Sequence, residues 1–343
     1  MRVDVWDPES LKRLASMMSD VGFDAGRALD VRPIGDGHSN LTFLVEQGSA
    51  RAVVRRPPPP PFPRGAHDVL RETVFLRALE HSAVPVPRVL ATATAGEVAD
   101  VPLYVMDFRS GPVVTTATPP ETTTATRRAM SESLVDVLAT LHSVDWHSSG
   151  LHEIGRPVGF NGRHLSRIAA LALDAQGKMP EKFSPVFDWL STYVPTESGA
   201  GIVHNDYRIG NVVFDPNGSG VVSAVLDWEL STIGDPLMDL GYFLVSVPIE
   251  GETPTPTGEF ATAMLEPGFL SRDEFADRYL ATTGRSGDGL GWYMAFALWK
   301  LAALYDYSGR RPAEDRDPYY DESQVDRFLE AAAEYSLGGR RIA

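Results

Sequence analysis

The chain of 343 residues contains no cysteine. That absence excludes a disulfide framework, a thiolate zinc site and a cysteine nucleophile. Long apolar runs are missing too. Gly289 to Trp299 is the longest strongly apolar, charge-free run near the C-terminus, well short of the about 20 residues that a membrane-spanning helix needs. The opening residues, Met1-Arg2-Val3-Asp4-Val5-Trp6-Asp7, lack the apolar core of a signal peptide. A soluble, cytoplasmic protein with no membrane partner is the expectation.

Positive charge is scarce: 31 Lys and Arg face 46 Asp and Glu, a net of −15. The deficit is uneven, with 13 basic and 14 acidic residues up to residue 110, and 18 against 32 beyond it. Nucleic-acid binding is excluded as an expectation, because phosphate neutralisation needs a basic face. The acidic second part reads as a solubilising surface, or as a cleft for a cationic substrate.

What is present points elsewhere. The string Ile202-Val203-His204-Asn205-Asp206-Tyr207-Arg208-Ile209-Gly210-Asn211 puts an Asp and an Asn five residues apart, after an apolar pair. Val225-Leu226-Asp227-Trp228 then delivers a second Asp on another apolar strand, 16 residues beyond Asn211. Phosphoryl transfer from ATP needs a carboxylate that orients and deprotonates the acceptor hydroxyl, and oxygen ligands that hold magnesium on the phosphates. Asp206 fits the first role; Asn211 and Asp227 fit the second. The plain alternative is a polar turn between two strands, where Asp and Asn are common.

At this length two domains are expected. Asp7-Pro8-Glu9 signals a helix start, with Leu11, Leu14, Ala15 and Met18 as its apolar stripe. Ile34 to Asn40 reads as a glycine-bearing turn, followed by strands at Leu41–Glu46 and Ala52–Arg55, a helix at Arg71–Leu79 and a strand at Leu103–Met106. This order fits a small antiparallel sheet carrying one helix. The boundary falls at about residues 108–112, in the segment ending at Gly111. Thr115 to Thr126 then reads as a loop capping a helix at Met130–Leu141. Beyond it the chain reads as helical, interrupted by short strands near Val212–Phe214 and Val222–Leu226. Further helices are expected at Leu165–Leu173, Val186–Tyr193, Met238–Val247, Glu259–Leu265, Arg272–Ala281, Gly291–Tyr307 and Glu322–Tyr335. Pro57 to Pro61 cannot join a sheet interior and reads as a stiff loop after Arg55.

The order of these strings resembles the aminoglycoside phosphotransferase family, small-molecule kinases with the protein-kinase-like two-lobed fold. The likeness is to the branch that includes the kinase-like domains joined to acyl-CoA dehydrogenases. It runs from Ile34 to about Arg311. It is carried by the glycine loop with Ser39-Asn40, Val54-Arg55-Arg56-Pro57-Pro58, Arg71-Glu72, Tyr104-Val105-Met106 and Leu141-His142-Ser143-Val144-Asp145. The 202–211 string, Leu226-Asp227-Trp228-Glu229 and Gly234-Asp235-Pro236-Leu237-Met238-Asp239-Leu240 complete it.

The resemblance implies an α+β fold, with a nucleotide-binding lobe at residues 1–110 (a small antiparallel sheet) and a larger, mostly helical catalytic and substrate-binding lobe at 111–343. Gly35 and Gly37 would let backbone amides approach phosphates, with Ser39 and Asn40 adding donors. Arg55, braced by Glu72, would pair with phosphate, with Arg56 as its rival. Met106 would sit behind adenine, and the Asp107 carbonyl and Arg109 amide would bond its edge. His204 would anchor its loop, Asp235 brace that loop, and Asp239 anchor the following helix. Trp299, Lys300 and Tyr305 are expected near the acceptor; Arg310, Arg311 and Arg316 would suit a phosphate-bearing one. The function implied is transfer of the γ-phosphate of ATP, with magnesium, to a hydroxyl of a small molecule, aminoglycoside-like or hydroxyacyl-CoA-like. The rivals are a nucleotide-binding pseudokinase scaffold, and an interaction protein displaying Pro57–Pro63.

Overall fold

The computed structural model of the chain describes residues 6–35, 40–59, 68–311 and 322–338. These divide into two compact units. The first holds the described residues up to Ser110 together with Ala224–Glu229; the second holds 111–223 and those from 230 onward.

In the first unit, Asp7 caps α1 (Pro8–Asp20) by accepting from the backbone nitrogens of Glu9 and Ser10 at 2.9 and 3.0 Å. Five strands follow: β1 (Asp30–Pro33), β2 (Leu41–Gln47), β3 (Ala50–Arg56), β4 (Val89–Ala93) and β5 (Leu103–Asp107). They form one antiparallel sheet in the order β1-β2-β3-β5-β4. Side chains alternate across a strand, so Phe43, Val45, Ala52, Val54, Leu103 and Val105 share a core with Leu14 and Met18 of α1. The opposite parity, Val53, Arg55 and Tyr104, belongs with α2 (Val69–Leu79), which packs on β5 and β4.

Two of these strands, β1 and β4, lie outside the sequence expectation. Both are sheet edges. β1 is four residues, half-buried at Val31 alone, and ends in proline; β4 is mostly small residues and carries a register shift between Val89 and Ala91. Neither shows the alternation that marks a half-buried strand.

In the second unit, α3 (Thr124–Ser143) begins where Thr123 accepts from Thr126 N at 3.1 Å. Then come α4 (Phe160–Ala172), α5 (Ser184–Thr192) and β6 (Gly201–Val203). A single 3-10 turn, Ile209–Asn211, leads into β7 (Val212–Phe214), which pairs with β8 (Val222–Val225); β9 (Thr232–Gly234) pairs antiparallel with β6. The remainder is helical: α6 (Leu237–Ser246), α7 (Arg272–Thr283), α8 (Leu290–Gly309) and α9 (Glu322–Ser336). Gly258–Leu265 is a 3-10 segment broken at Ala261 and not the regular helix its apolar spacing suggests. α8 is apolar almost all round, as a buried helix must be, and packs against α4, α5, α6 and α9. Gly111 opens this unit so close to β7 that an added Cβ would sit 1.8 Å from the Phe214 carbonyl oxygen. Among the described residues, no helix is long and apolar enough to cross a membrane.

The segment Ala224–Glu229 keeps company with the first unit, not with its sequence neighbours. Val225 N donates to Pro85 O at 2.8 Å, and Arg71 reaches the Glu229 carbonyl at 3.1 Å. A single boundary near Gly111 therefore misses this return of the chain.

Candidate active site

The first unit gathers Asn40, Arg55, Glu72 and Asp227. Arg55 Nη1 lies 3.4 Å from Glu72 Oε2, and its Nη2 donates to Asp227 Oδ1 at 3.2 Å. Glu72 also accepts from Asn40 Nδ2 at 3.1 Å and Tyr104 OH at 2.8 Å, and Asn40 Nδ2 donates again to Glu229 Oε2 at 2.9 Å. Burial pushes the Glu72 carboxyl up to about 7, against the pull of Arg55. Burial opposes the Arg55 charge as well, but Tyr104, Glu72 and Asp227 outweigh it and hold the guanidinium above its usual range. Arg55 Nε is buried without a hydrogen-bond partner. Asp227 keeps 34% of its side chain exposed and has a left-handed backbone, φ 66°.

Arg56 goes elsewhere. One residue along β3, it emerges on the opposite face, 2.8 Å from Asp100 and 5.1 Å over the Trp6 ring. The structure thus brings Arg55, and not Arg56, to Glu72. Gly35 has φ 74° with open space where a Cβ would stand; Gly37 and Ser39 lie outside the described residues, as do Pro60 to Pro63. Met106 is buried opposite Val53. Asp107 and Arg109 form an ion pair at 3.1 Å beside it, while Asp107 Oδ1 accepts from Arg88 N and Arg109 Nη2 donates to Val86 O. Their side chains finish the strand end.

The second unit holds the loop between β6 and β7. Asn211 Nδ2 donates to the Asp206 carboxylate at 2.7 Å and to its carbonyl at 2.9 Å. Tyr242 OH donates to Asp206 Oδ1, and Arg208 Nε lies 3.6 Å from the same oxygen. Burial and then the Asp206 charge push the Tyr242 hydroxyl well up, so it remains a donor. Lys300 Nζ lies 3.4 Å from the Asn205 carbonyl and 5.3 Å over the Tyr242 ring. Burial pulls this ammonium down, partly offset by Asp206 and Asp239.

The loop is braced by Asp239. Its carboxylate accepts from the backbone nitrogens of His204 and Asn205, each at 2.6 Å, and lies 3.1 Å from His142 Nε2. Asn205 takes the left-handed turn, φ 67°, which Asn tolerates better than most residues. Its side chain bonds the Leu230 carbonyl at 2.9 Å, while His204 Nδ1 accepts from Asp206 N at 3.3 Å. The roles expected of the two following aspartates are exchanged. Asp235 accepts from Leu237 N at 3.1 Å at the start of α6 and gathers Ser198, Asn161 and Tyr293.

Other expectations need correction. Trp299 is fully buried, bonding Phe183 O at 3.2 Å and stacking on Phe187, and Tyr305 packs edge-on against Phe328. Trp299 is a packing residue; Lys300 meets the Asn205 carbonyl of the loop, and Tyr305 lies close enough to act on the Tyr242 hydroxyl. Arg310 donates to the Leu171 and Leu173 carbonyls, closing the end of α4. Arg316 lies outside the described residues. Tyr242 was missed, although it stands three residues after Asp239 on α6, a spacing that puts both on one helix face.

Among the described residues, no group of three or more His, Asp or Glu forms a closed metal site. Asn211 in the second unit has an amide oxygen, and Asp227 in the first has a part-exposed carboxylate. Such hard oxygen donors suit magnesium, which commonly completes its shell with phosphates and water.

A model of the phosphotransferase enzyme family matches residues 30–296. The Arabidopsis thaliana protein named Probable acyl-CoA dehydrogenase IBR3 is 36% identical over 295 residues, covering 80% of this chain and 35% of that protein. Acyl-CoA dehydrogenase family member 11 of Rattus norvegicus is 34% identical over 222 residues, 64% of this chain and 28% of its own. The chain spans about a third of the length of these curated relatives. A crystal structure from Ralstonia eutropha, assigned to the aminoglycoside phosphotransferases, superposes with TM-score 0.75 at 27% identity, covering 94% of this chain and 98% of that one. Aminoglycoside phosphotransferase APH(4)-Ia, in complex with AMP-PNP and hygromycin B, gives TM-score 0.62 at 17% identity, 97% of this chain and 100% of its own. At that identity the likeness is one of fold.

Proposed function

The chain belongs to the phosphotransferase enzyme family, and from that membership and the setting of Asp206 we propose that it transfers the γ-phosphate of ATP to a hydroxyl of a small molecule. The observation that carries this is the Asp206 carboxylate, fixed by Asn211 and Tyr242 in a loop that Asp239 braces.

Asp206 receives the acceptor hydroxyl as a hydrogen-bond donor and takes its proton as the oxygen–phosphorus bond forms and the bond to the leaving ADP oxygen breaks. Asn211 spends its amide hydrogens on Asp206, which leaves its amide oxygen for metal. Asn211 and Asp227 are the residues that would hold magnesium, which when bound neutralises charge on the phosphates. Arg55, anchored by Glu72, steadies phosphate oxygens through the guanidinium fork. Gly35, Gly37, Ser39 and Asn40 belong to the phosphate-facing loop, and Met106, Asp107 and Arg109 to the adenine edge. Residues 1–110 are on this reading the nucleotide-binding lobe and 111–343 the catalytic and substrate-binding lobe.

The acceptor is a small alcohol. Curated relatives named as acyl-CoA dehydrogenases favour a hydroxyacyl-CoA-like acceptor, and the solved neighbours an aminoglycoside-like one. A panel containing both classes, assayed for magnesium- and ATP-dependent phosphorylation, tests the reading. Asp206→Asn keeps shape but loses the proton acceptor, and should lower turnover about 10²–10⁴-fold with nucleotide affinity nearly unchanged. An unaltered rate in that variant removes Asp206 from the chemistry.

A further inference from the structure

A cavity of about 320 Å³ in the second unit lies between the 154–167 stretch that runs into α4 and the strand β9. Arg156, Arg163 and Arg167 line it, all three exposed. Among the described residues, none of the three pairs with a carboxylate. That is notable in a stretch of chain, from 111 onward, where 32 acidic residues outnumber 18 basic ones. The floor is apolar, made by Phe160 and Ile233, with Thr232 half-buried at its side.

His164 lines the same cavity and is 5% exposed. It is held edge-on between the rings of Phe160 and Phe296, at 5.2 and 5.1 Å. Its Nδ1 has no hydrogen-bond partner, a cost to folding that a ligand atom would relieve. Burial pushes the imidazole down to about 2, with Lys300 and Arg167 adding to the effect, so the ring is neutral.

The walls are built. Gly155 presses so closely on β9 that an added Cβ would lie 2.6 Å from Ile233 Cβ and 2.8 Å from its carbonyl oxygen. Arg163 donates to the Val158 and Arg156 carbonyls, tying the preceding loop to α4 and so fixing where Arg156 stands. We infer that this cavity binds a small organic phosphate, whose anionic head the exposed Arg156 and Arg167 guanidinium groups take and whose carbon body rests on Phe160 and Ile233. Charge-assisted forks of this kind are the usual recognition of phosphate, and the volume sits at the small end for ligand pockets, enough for one head and a ring-sized body. The inference stands apart from the phosphotransferase reading, since none of these residues has a role in it.

Calorimetric titration with phenyl phosphate and with inorganic phosphate, without nucleotide or metal, tests it. Phenyl phosphate should saturate one site, bind tighter than inorganic phosphate, and persist when ADP is present in excess. Arg156→Gln combined with Arg167→Gln should weaken it at least about tenfold; both side chains are exposed, so the fold is not at risk. His164→Phe keeps the ring packing and should also weaken it. Absence of saturable binding, displacement by ADP, or unchanged affinity in the double variant overturns the inference. Loss of acceptor phosphorylation in the separate kinase assay would leave it standing.

Discussion

Tyr242 shows how much a single hydroxyl can decide. It is buried, and its proton goes to one oxygen of Asp206 while Asn211 takes the other. Two donors on two oxygens fix the plane of the carboxylate, which the proposed role of Asp206 as general base requires before an acceptor arrives. Hydrogen bonds to a charged group are worth about 1.5–3 kcal/mol. Tyr242→Phe should therefore lower kcat roughly tenfold or more, with KM for nucleotide little changed. Steady-state kinetics on the phosphorylated acceptor decides this; a change confined to KM would assign Tyr242 to substrate binding instead. The exchange of roles between Asp235 and Asp239 belongs to this scale too. Both are buried acids beside the same helix start, and sequence spacing carries no information about which one meets a backbone nitrogen.

At the scale of elements, β3 and α2 set the chemistry of the first unit. Alternation along β3 sends Arg55 to Glu72 and Arg56 to Asp100, a result that the period of two makes legible in the sequence once the strand is granted. Glu72 then titrates where few carboxyls do. Its folded-state value of about 7 lies above the ordinary 4.5, so the folded protein binds this proton more tightly than the unfolded chain. Its contribution to stability is complete below about pH 4.5 and is lost as pH rises through about 7. Glu72→Gln cannot titrate. The melting temperature of the parent minus that of the variant should therefore fall as pH rises from about 4.5 to about 7; a difference that stays constant or rises contradicts the raised value.

Other elements are readable from their composition: β2, β3 and β5 are short apolar runs, the last two buried on both faces, and α2 and α3 bury residues at helical spacing. The edge strands β1 and β4 bury too little to leave a pattern. The 3-10 segment Gly258–Leu265 has helical spacing, but its break at Ala261 is a backbone event that composition does not announce. At the candidate site, the sequence string already sets Asp206 beside Asn211, and the two bond each other. The relation of Tyr242 to Asp206 and of Lys300 to Asn205 was not legible, because it exists only through tertiary packing.

For the whole molecule, net charge and ligand charge have the same sign. A chain at −15 that takes a polyphosphate needs a counter-charge, and magnesium is the natural one. Ligands that bind only the folded state stabilise it by about 2.7 kcal/mol at a hundredfold excess over Kd. AMP-PNP should thus raise the melting temperature more with magnesium than without. Asp227→Asn suits the left-handed backbone at this position and should lose most of the magnesium-dependent increment. Equal shifts with and without metal in the parent protein would take Asp227 out of the metal role.

The return of Ala224–Glu229 to the first unit has a consequence for inheritance. The polypeptide leaves that unit after Ser110, rejoins it at Ala224 and departs again after Glu229. A gene segment ending at residue 110 would encode the five-stranded sheet yet omit Asp227, leaving the guanidinium of Arg55 with Glu72 as its sole carboxylate among the described ion pairs. The sheet unit is therefore not a cassette that recombination can move intact.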